Sequence, residues 1–173
     1  MDLWALQEAI AEIRPALLLE TGTNQAGSAL FYAHLFDLMG QGHVVTVDVE
    51  AMHEITHPRI EFLLGKAISA EVLAKMRAAA DAADGPVMVV LDSDHSAVHV
   101  ARGLDAYAPL VTPGRLLCQD GIVDLMPKMA PRPGPLAAIH DFLPGHPEFG
   151  VDARYNRRFL ATHHPDGWLR KAI

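Results

Sequence analysis

Two acids, an amide and an imidazole in this sequence have the types and spacing of a site for metal-assisted proton transfer. Asp92 and His95 follow the apolar run 87–91, and Gln119 and Asp120 follow a later apolar run. Carboxylate and amide oxygens are the ligands that Mg²⁺ prefers, and the ion keeps waters that two substrate oxygens can replace. Because the pKa of an ordinary histidine lies near neutrality, His95 is the predicted general base. We therefore predict a metal site at Asp92, Gln119 and Asp120, with His95 as the catalytic residue.

A second group of residues has the pattern of a nucleoside site. The apolar residues 17–19 run into a turn that contains Glu20 and Gly22, and a helical pattern follows the turn. Gly22 permits a sharp turn and the close approach of a ligand, and the first N–H groups of the helix stay free for an acceptor. Asp48 ends the next apolar run, where a carboxylate can accept hydrogen bonds from two ribose hydroxyls.

The nucleoside predicted from this pattern is S-adenosylmethionine (SAM) rather than a dinucleotide. The pyrophosphate fingerprint G-x-G-x-x-G is absent, because the next glycine after Gly22 is Gly27. The alternative is that these glycines have no role in binding a ligand and only shape a strand-to-helix turn. Residues 65–69 are expected to border the adenine. The predicted cofactor contacts are Glu20, Gly22, Thr23, Asn24, Gly27, Ser28, Asp48, Val49, Lys66, Ala67 and Asp92.

Strand-length apolar runs alternate with helical patterns along the chain, which predicts an α/β fold. We expect a Rossmann-like arrangement, in which a mostly parallel sheet has helices on both faces and an antiparallel C-terminal edge strand. Open α/β sheets bind ligands at the carboxyl ends of their strands, where Glu20, Asp48, Asp92 and Asp120 all fall. The predicted strands are residues 17–19, 43–47, 59–64, 87–91 and 114–118, and the predicted helices are 3–13, 29–39, 70–83, 97–107 and 136–143.

Two segments in the second half of the chain carry separate predictions. Residues 121–135 are rich in proline and methionine and lack a regular period, which predicts a mobile lid or substrate-binding loop. Residues 149–152, 158–163 and 168–170 have strand-like patterns, and a turn at Pro165-Asp166-Gly167 separates the last two. We expect these pieces to close the sheet as its antiparallel edge.

Composition and charge favour one domain that acts on a small molecule. The 173 residues are close to the usual size of a single domain, here residues 1–173. The net charge of −7 and the scattered basic residues disfavour nucleic acid or an anionic membrane as a partner. Cys118 is the only cysteine and lies in an apolar run, which predicts a buried, inert thiol. No apolar stretch approaches the ~20 residues of a membrane span and no signal sequence is visible, so a cytoplasmic location is expected.

Motifs along nearly the whole chain match one known family in the correct order. They are Leu3-Trp4-Ala5-Leu6-Gln7-Glu8, Glu20-Thr21-Gly22, Gly27-Ser28, Phe31-Tyr32-Ala33, Val47-Asp48, Leu91-Asp92-Ser93 with His95, Tyr107-Ala108-Pro109-Leu110-Val111, Pro113-Gly114 and Pro165-Asp166-Gly167-Trp168-Leu169. In these motifs the chain resembles the cephalosporin hydroxylase-like family, also called the rhamnosyl O-methyltransferases. The resemblance implies a class I SAM-dependent methyltransferase fold, as in O-methyltransferases that tailor antibiotics and macrolide sugars. It also implies SAM at Glu20, Gly22 and Asp48, a divalent metal at Asp92 and Asp120, and His95 as the general base.

The chain departs from the family pattern in three respects. The family commonly has glycine where Ala26 stands, which is tolerated unless the backbone there must take a positive φ angle. It commonly has Glu-Asp where Gln119-Asp120 stands, so we expect a lower affinity for Mg²⁺. Family members usually carry several dozen residues before the helix at Leu3. We therefore expect a more open substrate side, or one that a neighbouring subunit of a homo-oligomer covers.

These observations predict a SAM-dependent O-methyltransferase, assisted by a divalent metal. Its acceptor is expected to be a hydroxyl of a small natural-product-like molecule, such as a sugar, a catechol-like compound or an antibiotic. Two alternatives stay open at this point. One is a metal-independent methyltransferase in which Gln119 and Asp120 bind the acceptor directly, and the other is a SAM-binding module without catalysis.

Overall fold

Strands and helices alternate along the part of the chain that the computed structural model describes, which is residues 2–112, 114–126 and 133–172. The strands are β1 (Leu17–Thr21), β2 (His43–Asp48), β3 (Ile60–Leu64), β4 (Val87–Leu91), β5 (Arg115–Cys118), β6 (Phe149–Val151) and β7 (Trp168–Lys171). The α-helices are α1 (Asp2–Ile13), α2 (Gly27–Met39), α3 (Ala70–Ala82), α4 (Ala97–Tyr107), α5 (Pro135–Phe142) and α6 (Ala153–Asn156). Within the described ranges, no helix has both the length and the apolar character needed to cross a membrane.

All seven strands belong to one sheet, in the order β3-β2-β1-β4-β5-β7-β6. The neighbouring strands from β3 to β5 are parallel. Strand β7 runs antiparallel to β5 on one side and to β6 on the other. The predicted Rossmann-like α/β fold with an antiparallel C-terminal edge is therefore confirmed.

Alternate residues of the strands pack against two separate helical layers. Leu18 packs with residues of α1, α2 and α6, whereas Leu17 and Leu19 pack with residues of α3, α4 and α5. Burial on both faces explains why the central strands are continuous apolar runs in the sequence. Cys118 belongs to this core, and burial raises the pKa of its thiol, as expected for an inert cysteine.

The pairing register places the carboxyl ends of the central strands beside one another. Thr21 is opposite both Val47 and Leu91, and Leu91 is opposite Cys118. The residues that follow these ends, Asp92 among them, therefore share one edge of the sheet. This is the edge at which open α/β sheets bind ligands.

One predicted strand is wrong. Residues 158–163 form no strand, and the side chain of Leu160 is fully exposed. Because β7 already pairs with β5 and with β6, neither of its edges is free for this segment. The antiparallel partner of β7 is the earlier piece Phe149–Val151, and the short helix α6, which Asp152 caps, was not predicted.

The predicted lid, residues 121–135, is described only in part, because residues 127–132 lie outside the described residues. The Asp124 carboxylate accepts hydrogen bonds from the backbone N–H of Gly134 at 2.7 Å and of Leu136 at 2.8 Å. It therefore caps the first turn of α5 and ties together the two described parts of the segment. A lid function stays a prediction.

Candidate functional site

The turn after β1 lies against the end of β4 because Gly22 has no side chain. Its φ of 95° is in the left-handed region that favours glycine. A Cβ at this position would meet the carbonyl oxygen of Asp92 at 1.8 Å. Gly22 N donates to Val47 O, and Asp92 N donates to Thr21 O, each at 2.9 Å. The glycine that the sequence singles out thus allows three strand ends to meet at the backbone.

Ala26, the position where the family commonly has glycine, has a left-handed backbone. Its φ is 60° and its ψ is 20°, directly before the first residue of α2. An L-amino acid in this conformation costs about 1–2 kcal/mol relative to the right-handed region. The backbone of Ala26 therefore does take a positive φ angle, at which glycine is preferred, and this alanine is strained beside the start of the helix.

Two backbone donors orient the Asp48 carboxylate at the end of β2. Its Oδ2 accepts a hydrogen bond from Asn24 N at 2.8 Å, and its Oδ1 accepts one from Val49 N at 2.6 Å. Each carboxylate oxygen has a second lone pair, so the side chain can still accept hydrogen bonds from a vicinal diol. The bond to Asn24 also ties the turn after β1 to β2.

A cavity of about 860 Å³ opens beside these strand ends. Its volume is in the range of sites that bind small molecules and cofactors. Most of the predicted cofactor contacts line it, namely Gly22, Asn24, Asp48, Val49, Lys66, Ala67 and Asp92. The structure thus brings residues from the ends of four strands to one cavity.

Four predicted cofactor contacts lie outside the lining of this cavity: Glu20, Thr23, Gly27 and Ser28. Glu20 and Thr23 are buried, Gly27 is exposed at the first turn of α2, and Ser28 borders a different cavity. The hydroxyl of Thr46 donates to Glu20 Oε2 at 2.7 Å and lies 2.7 Å from the hydroxyl of Thr23. Because Glu20 lies within β1 and not after it, its side chain lies in the core, beneath the turn that follows β1.

Burial raises the pKa of the Glu20 carboxyl to about 7. The main cause is the loss of water around the carboxylate, to which the negative charges of Asp92 and Asp48 add. The nearby hydroxyls of Ser28 and Thr46 act in the opposite direction. Among the described residues, Glu20 Oε1 has no hydrogen-bond partner. The protonated form of Glu20 is therefore favoured below neutral pH.

Replacing Glu20 with glutamine should remove a pH dependence of stability. In the wild type the carboxyl of Glu20 has its ordinary pKa of 4.5 in the unfolded chain, whereas the folded protein keeps the proton until about pH 7. The native state therefore loses about 3 kcal/mol of stability between these pH values as the pH rises. Urea unfolding at pH 5, 6, 7 and 8 should show that the Glu20→Gln variant gains stability relative to the wild type as the pH rises.

The matched control for this experiment is Glu54→Gln, which changes an exposed glutamate in the segment between β2 and β3. Its stability difference from the wild type should stay constant across the same pH range. A constant difference for Glu20→Gln as well would contradict the raised pKa of Glu20.

Asp92, His95 and Asp120 converge at the carboxyl ends of β4 and β5. His95 Nε2 lies 3.4 Å from Asp92 Oδ1 and 3.3 Å from Asp120 Oδ2. One ligand atom from each residue lies within 4.8 Å of the other two, a spacing that one cation can bridge. The contact with the Asp92 carboxylate raises the pKa of His95 above its ordinary value, against the effect of partial burial.

A second cavity, of about 290 Å³, shares Asp92 and Asp120 with the first. The two carboxylates therefore lie where the two cavities meet. Gln119, the predicted third metal ligand, lines this second cavity beside them. Its other lining residues are Asp2, Leu3, Leu6, Ser28, Tyr32, His163 and His164.

Tyr32 and His99 are among the side chains that line these cavities but were not predicted as site residues. Tyr32 borders the second cavity from the interior of α2, and its buried hydroxyl has no hydrogen-bond partner among the described residues. His99 lines the first cavity and lies 2.9 Å from the hydroxyl of Ser93. Helical spacing could have found Tyr32, because it follows Ser28 by one turn of α2.

Comparisons with known proteins agree with this architecture. The sequence profile described as Rhamnosyl O-methyltransferase/CmcI matches residues 1–172. The rhamnosyl O-methyltransferase of Mycobacterium tuberculosis is 28% identical over an alignment of 177 positions, which covers 97% of this chain and 72% of that protein. The rhamnosyl O-methyltransferase of Mycobacterium leprae is 29% identical over an alignment of 179 positions, which covers 97% of this chain and 76% of that protein.

Solved structures share the fold at low sequence identity. CmcI with Mg and SAM has a TM-score of 0.77 and 17% identity, covering 98% of this chain and 70% of that chain. MycE methyltransferase from the mycinamycin biosynthetic pathway, in complex with Mg and SAH, has a TM-score of 0.63 and 18% identity, covering 98% of this chain and 48% of that chain. The predicted class I methyltransferase fold and the family resemblance are both confirmed.

Proposed function

The chain belongs to the Rhamnosyl O-methyltransferase/CmcI family, and from this premise we propose that it methylates a hydroxyl of a small natural-product-like acceptor with SAM. The observation that carries the proposal is the cluster of Asp92, His95 and Asp120 at the junction of two cavities. One cavity accommodates a nucleoside and the other accommodates an acceptor, so the reacting groups meet at the cluster. In the reaction the methyl–sulfur bond breaks, a methyl–oxygen bond forms and S-adenosylhomocysteine (SAH) leaves.

We assign the cofactor to the larger cavity. The Asp48 carboxylate, held by Asn24 N and Val49 N, has free lone pairs for the ribose hydroxyls. Gly22 removes the steric barrier between the turn and the Asp92 backbone, and Lys66 and Ala67 line the wall where the adenine is expected. The structures of CmcI with SAM and of MycE with SAH support this assignment at the level of the fold.

The donor set of the cluster fits a divalent metal. Two carboxylates and an imidazole have ligand atoms within 4.8 Å of one another, and the amide of Gln119 borders the same place. Asp92 and Asp120 would hold the ion, with Gln119 as a weaker neutral ligand. Bound Mg²⁺ would supply positive charge that lowers the pKa of an acceptor hydroxyl.

His95 is the general base of this proposal. Its Nε2 takes the hydroxyl proton as the oxygen attacks the methyl group. The imidazolium that results is stabilised by the two carboxylates at 3.4 and 3.3 Å. The cofactor already carries an activated methyl group, so alignment and proton removal are the tasks left to the protein.

The charge of the second cavity favours an uncharged acceptor. Asp2, Asp92 and Asp120 contribute carboxylates, and no lysine or arginine is found among its described lining residues. An acceptor with a phosphate or carboxylate group would be repelled here. A sugar hydroxyl fits this environment, and it agrees with the name of the mycobacterial relatives.

Replacing Asp48 with alanine should weaken SAM binding about 10- to 150-fold. A hydrogen bond to a charged group is worth about 1.5–3 kcal/mol, which corresponds to this range of dissociation constants. Calorimetric titration of the purified protein with SAM and with SAH, each with and without Mg²⁺, measures the effect. The same titrations of the wild type test the proposed function before an acceptor is known.

Glu50→Ala is the matched control, because Glu50 is exposed two residues after Asp48 and does not line the cavity. This variant should bind SAM like the wild type. Equal affinities of Asp48→Ala and the wild type would remove Asp48 from the cofactor site. If the wild type binds neither nucleoside, the methyltransferase proposal fails.

A further inference from the structure

The peptide at Asp120 is held by the segment that precedes β7, residues 163–167. Asp120 N donates a hydrogen bond to the ring atom His164 Nδ1 at 3.1 Å. Ile122 N donates to His163 O at 3.0 Å. The loop that carries the proposed metal ligand therefore has bonds to this segment on both sides of its turn.

The backbone of residues 163–167 packs closely against the backbone of the loop after β5. Cys118 N donates to Gly167 O at 2.9 Å, and a Cβ at Gly167 would meet Cys118 O at 2.1 Å. A Cβ at Gly121 would meet Pro165 O at 3.0 Å. Neither glycine can gain a side chain without displacing backbone, so the segment before β7 fits the loop after β5 tightly.

Asp120 needs such support because its backbone is in the left-handed region, with φ of 56°. This conformation costs energy for any residue except glycine, although aspartate tolerates it better than most. A small rotation of this peptide would swing the carboxylate away from His95, whose Nε2 is 3.3 Å from Asp120 Oδ2.

His164 is itself held in place from the other side. His164 N donates to Thr162 Oγ1 at 3.0 Å, and that hydroxyl donates to Asp2 Oδ1 at 2.7 Å. The ring is buried, with 3% of the residue exposed. A chain of hydrogen bonds thus leads from the first turn of α1, through His164, to the backbone of Asp120.

We propose that His164 is a positioning residue: by accepting the hydrogen bond from Asp120 N, it fixes the direction in which the Asp120 carboxylate faces the divalent cation. This inference rests on the proposed function, because it takes Asp120 as a metal ligand. In this role the ring acts through the Asp120 peptide, although His164 also lines the cavity assigned to the acceptor.

Variants of His164 with asparagine and glutamine test the proposal. The Oδ1 atom of asparagine is as many bonds from Cα as Nδ1 of histidine, so it can accept the same hydrogen bond, whereas Oε1 of glutamine is one bond further away. Calorimetric titration with MgCl₂ should give a dissociation constant about 10- to 100-fold higher for His164→Gln than for the wild type. His164→Asn should restore most of the affinity, and SAM affinity should be the same in all three proteins.

A control variant and a hydrogen–deuterium exchange measurement complete the test. His140→Ala is the control, because exposed His140 contacts Asp166 of the same segment at 3.0 Å and makes no bond to Asp120. It should bind Mg²⁺ like the wild type. Hydrogen–deuterium exchange should show faster exchange of the Asp120 amide in His164→Gln than in His164→Asn, with or without metal.

Equal Mg²⁺ affinities of His164→Gln and the wild type would overturn the proposal, and so would equal losses in the asparagine and glutamine variants. If SAM binds but Mg²⁺ does not bind the wild type, the positioning role toward a cation fails while the cofactor part of the proposed function stands. If neither binds, the proposed function itself fails.

Discussion

Replacing His95 with alanine is expected to lower kcat for methyl transfer by about 10²- to 10⁴-fold, the usual contribution of a general base. His95 Nε2 faces both carboxylates of the cluster, and it lies beside the junction of the two cavities. Without the imidazole, the acceptor hydroxyl loses the side chain of the cluster that is proposed to take its proton. Steady-state formation of SAH, with an acceptor that the wild type turns over, measures the change.

The same variant distinguishes a role of His95 as a general base from a role as a metal ligand. If His95 is only a base, His95→Ala should bind SAM and Mg²⁺ with wild-type affinity while turnover is lost. A parallel loss of Mg²⁺ affinity would instead make His95 a ligand of the cluster, since its Nε2 is within reach of the same ion as Asp92 and Asp120. Unchanged turnover would refute the catalytic role. His146→Ala is the control, because this half-exposed ring stacks on Phe142 and lines neither cavity.

The central part of the fold could be predicted because its signals are local. Strand Val87–Leu91 and helix Ala97–Tyr107 have the predicted bounds, since each is a strongly patterned run with a proline, serine or aspartate close to each end. Residues 158–163 show the limit of this reasoning, because their strand-like pattern competes with β6 for an edge of β7. Which segment pairs with an edge is decided by distant parts of the chain and leaves no mark in a local pattern.

Part of the candidate site could also be predicted from the sequence. Residues at or just after strand ends, such as Asp48, Asp92 and Asp120, reach the site because the register of a parallel sheet aligns strand ends. Glu20 lies inside β1 and is buried, which the sequence pattern did not indicate, and its contact with the cofactor stays a prediction. His164 was missed because its contact with Asp120 joins segments 44 residues apart.

Replacing Gly22 with alanine is expected to lower the free energy of unfolding by about 3–5 kcal/mol and to abolish detectable SAM binding. A residue with a side chain at this positive φ is strained by about 1–3 kcal/mol. The added Cβ would also overlap the carbonyl oxygen of Asp92, at 1.8 Å, so β4 or the turn must move. Movement of β4 displaces Asp92, and movement of the turn displaces the Asn24 N–H that holds Asp48; both aspartates belong to the cavity that is assigned to the cofactor. Urea unfolding and calorimetric titration with SAM measure the two effects.

Gly27→Ala is a matched control within the same turn. A Cβ at Gly27 meets no atom within 4 Å, and the residue begins α2 on the exposed surface. Alanine there should leave stability unchanged or raise it by up to about 1 kcal/mol, because alanine loses less conformational freedom than glycine in a helix. A Gly22→Ala variant as stable as Gly27→Ala would show that the turn does not lie against Asp92. If Gly22→Ala loses SAM binding without losing stability, Gly22 is needed for contact with the cofactor and not for the packing of the strand ends.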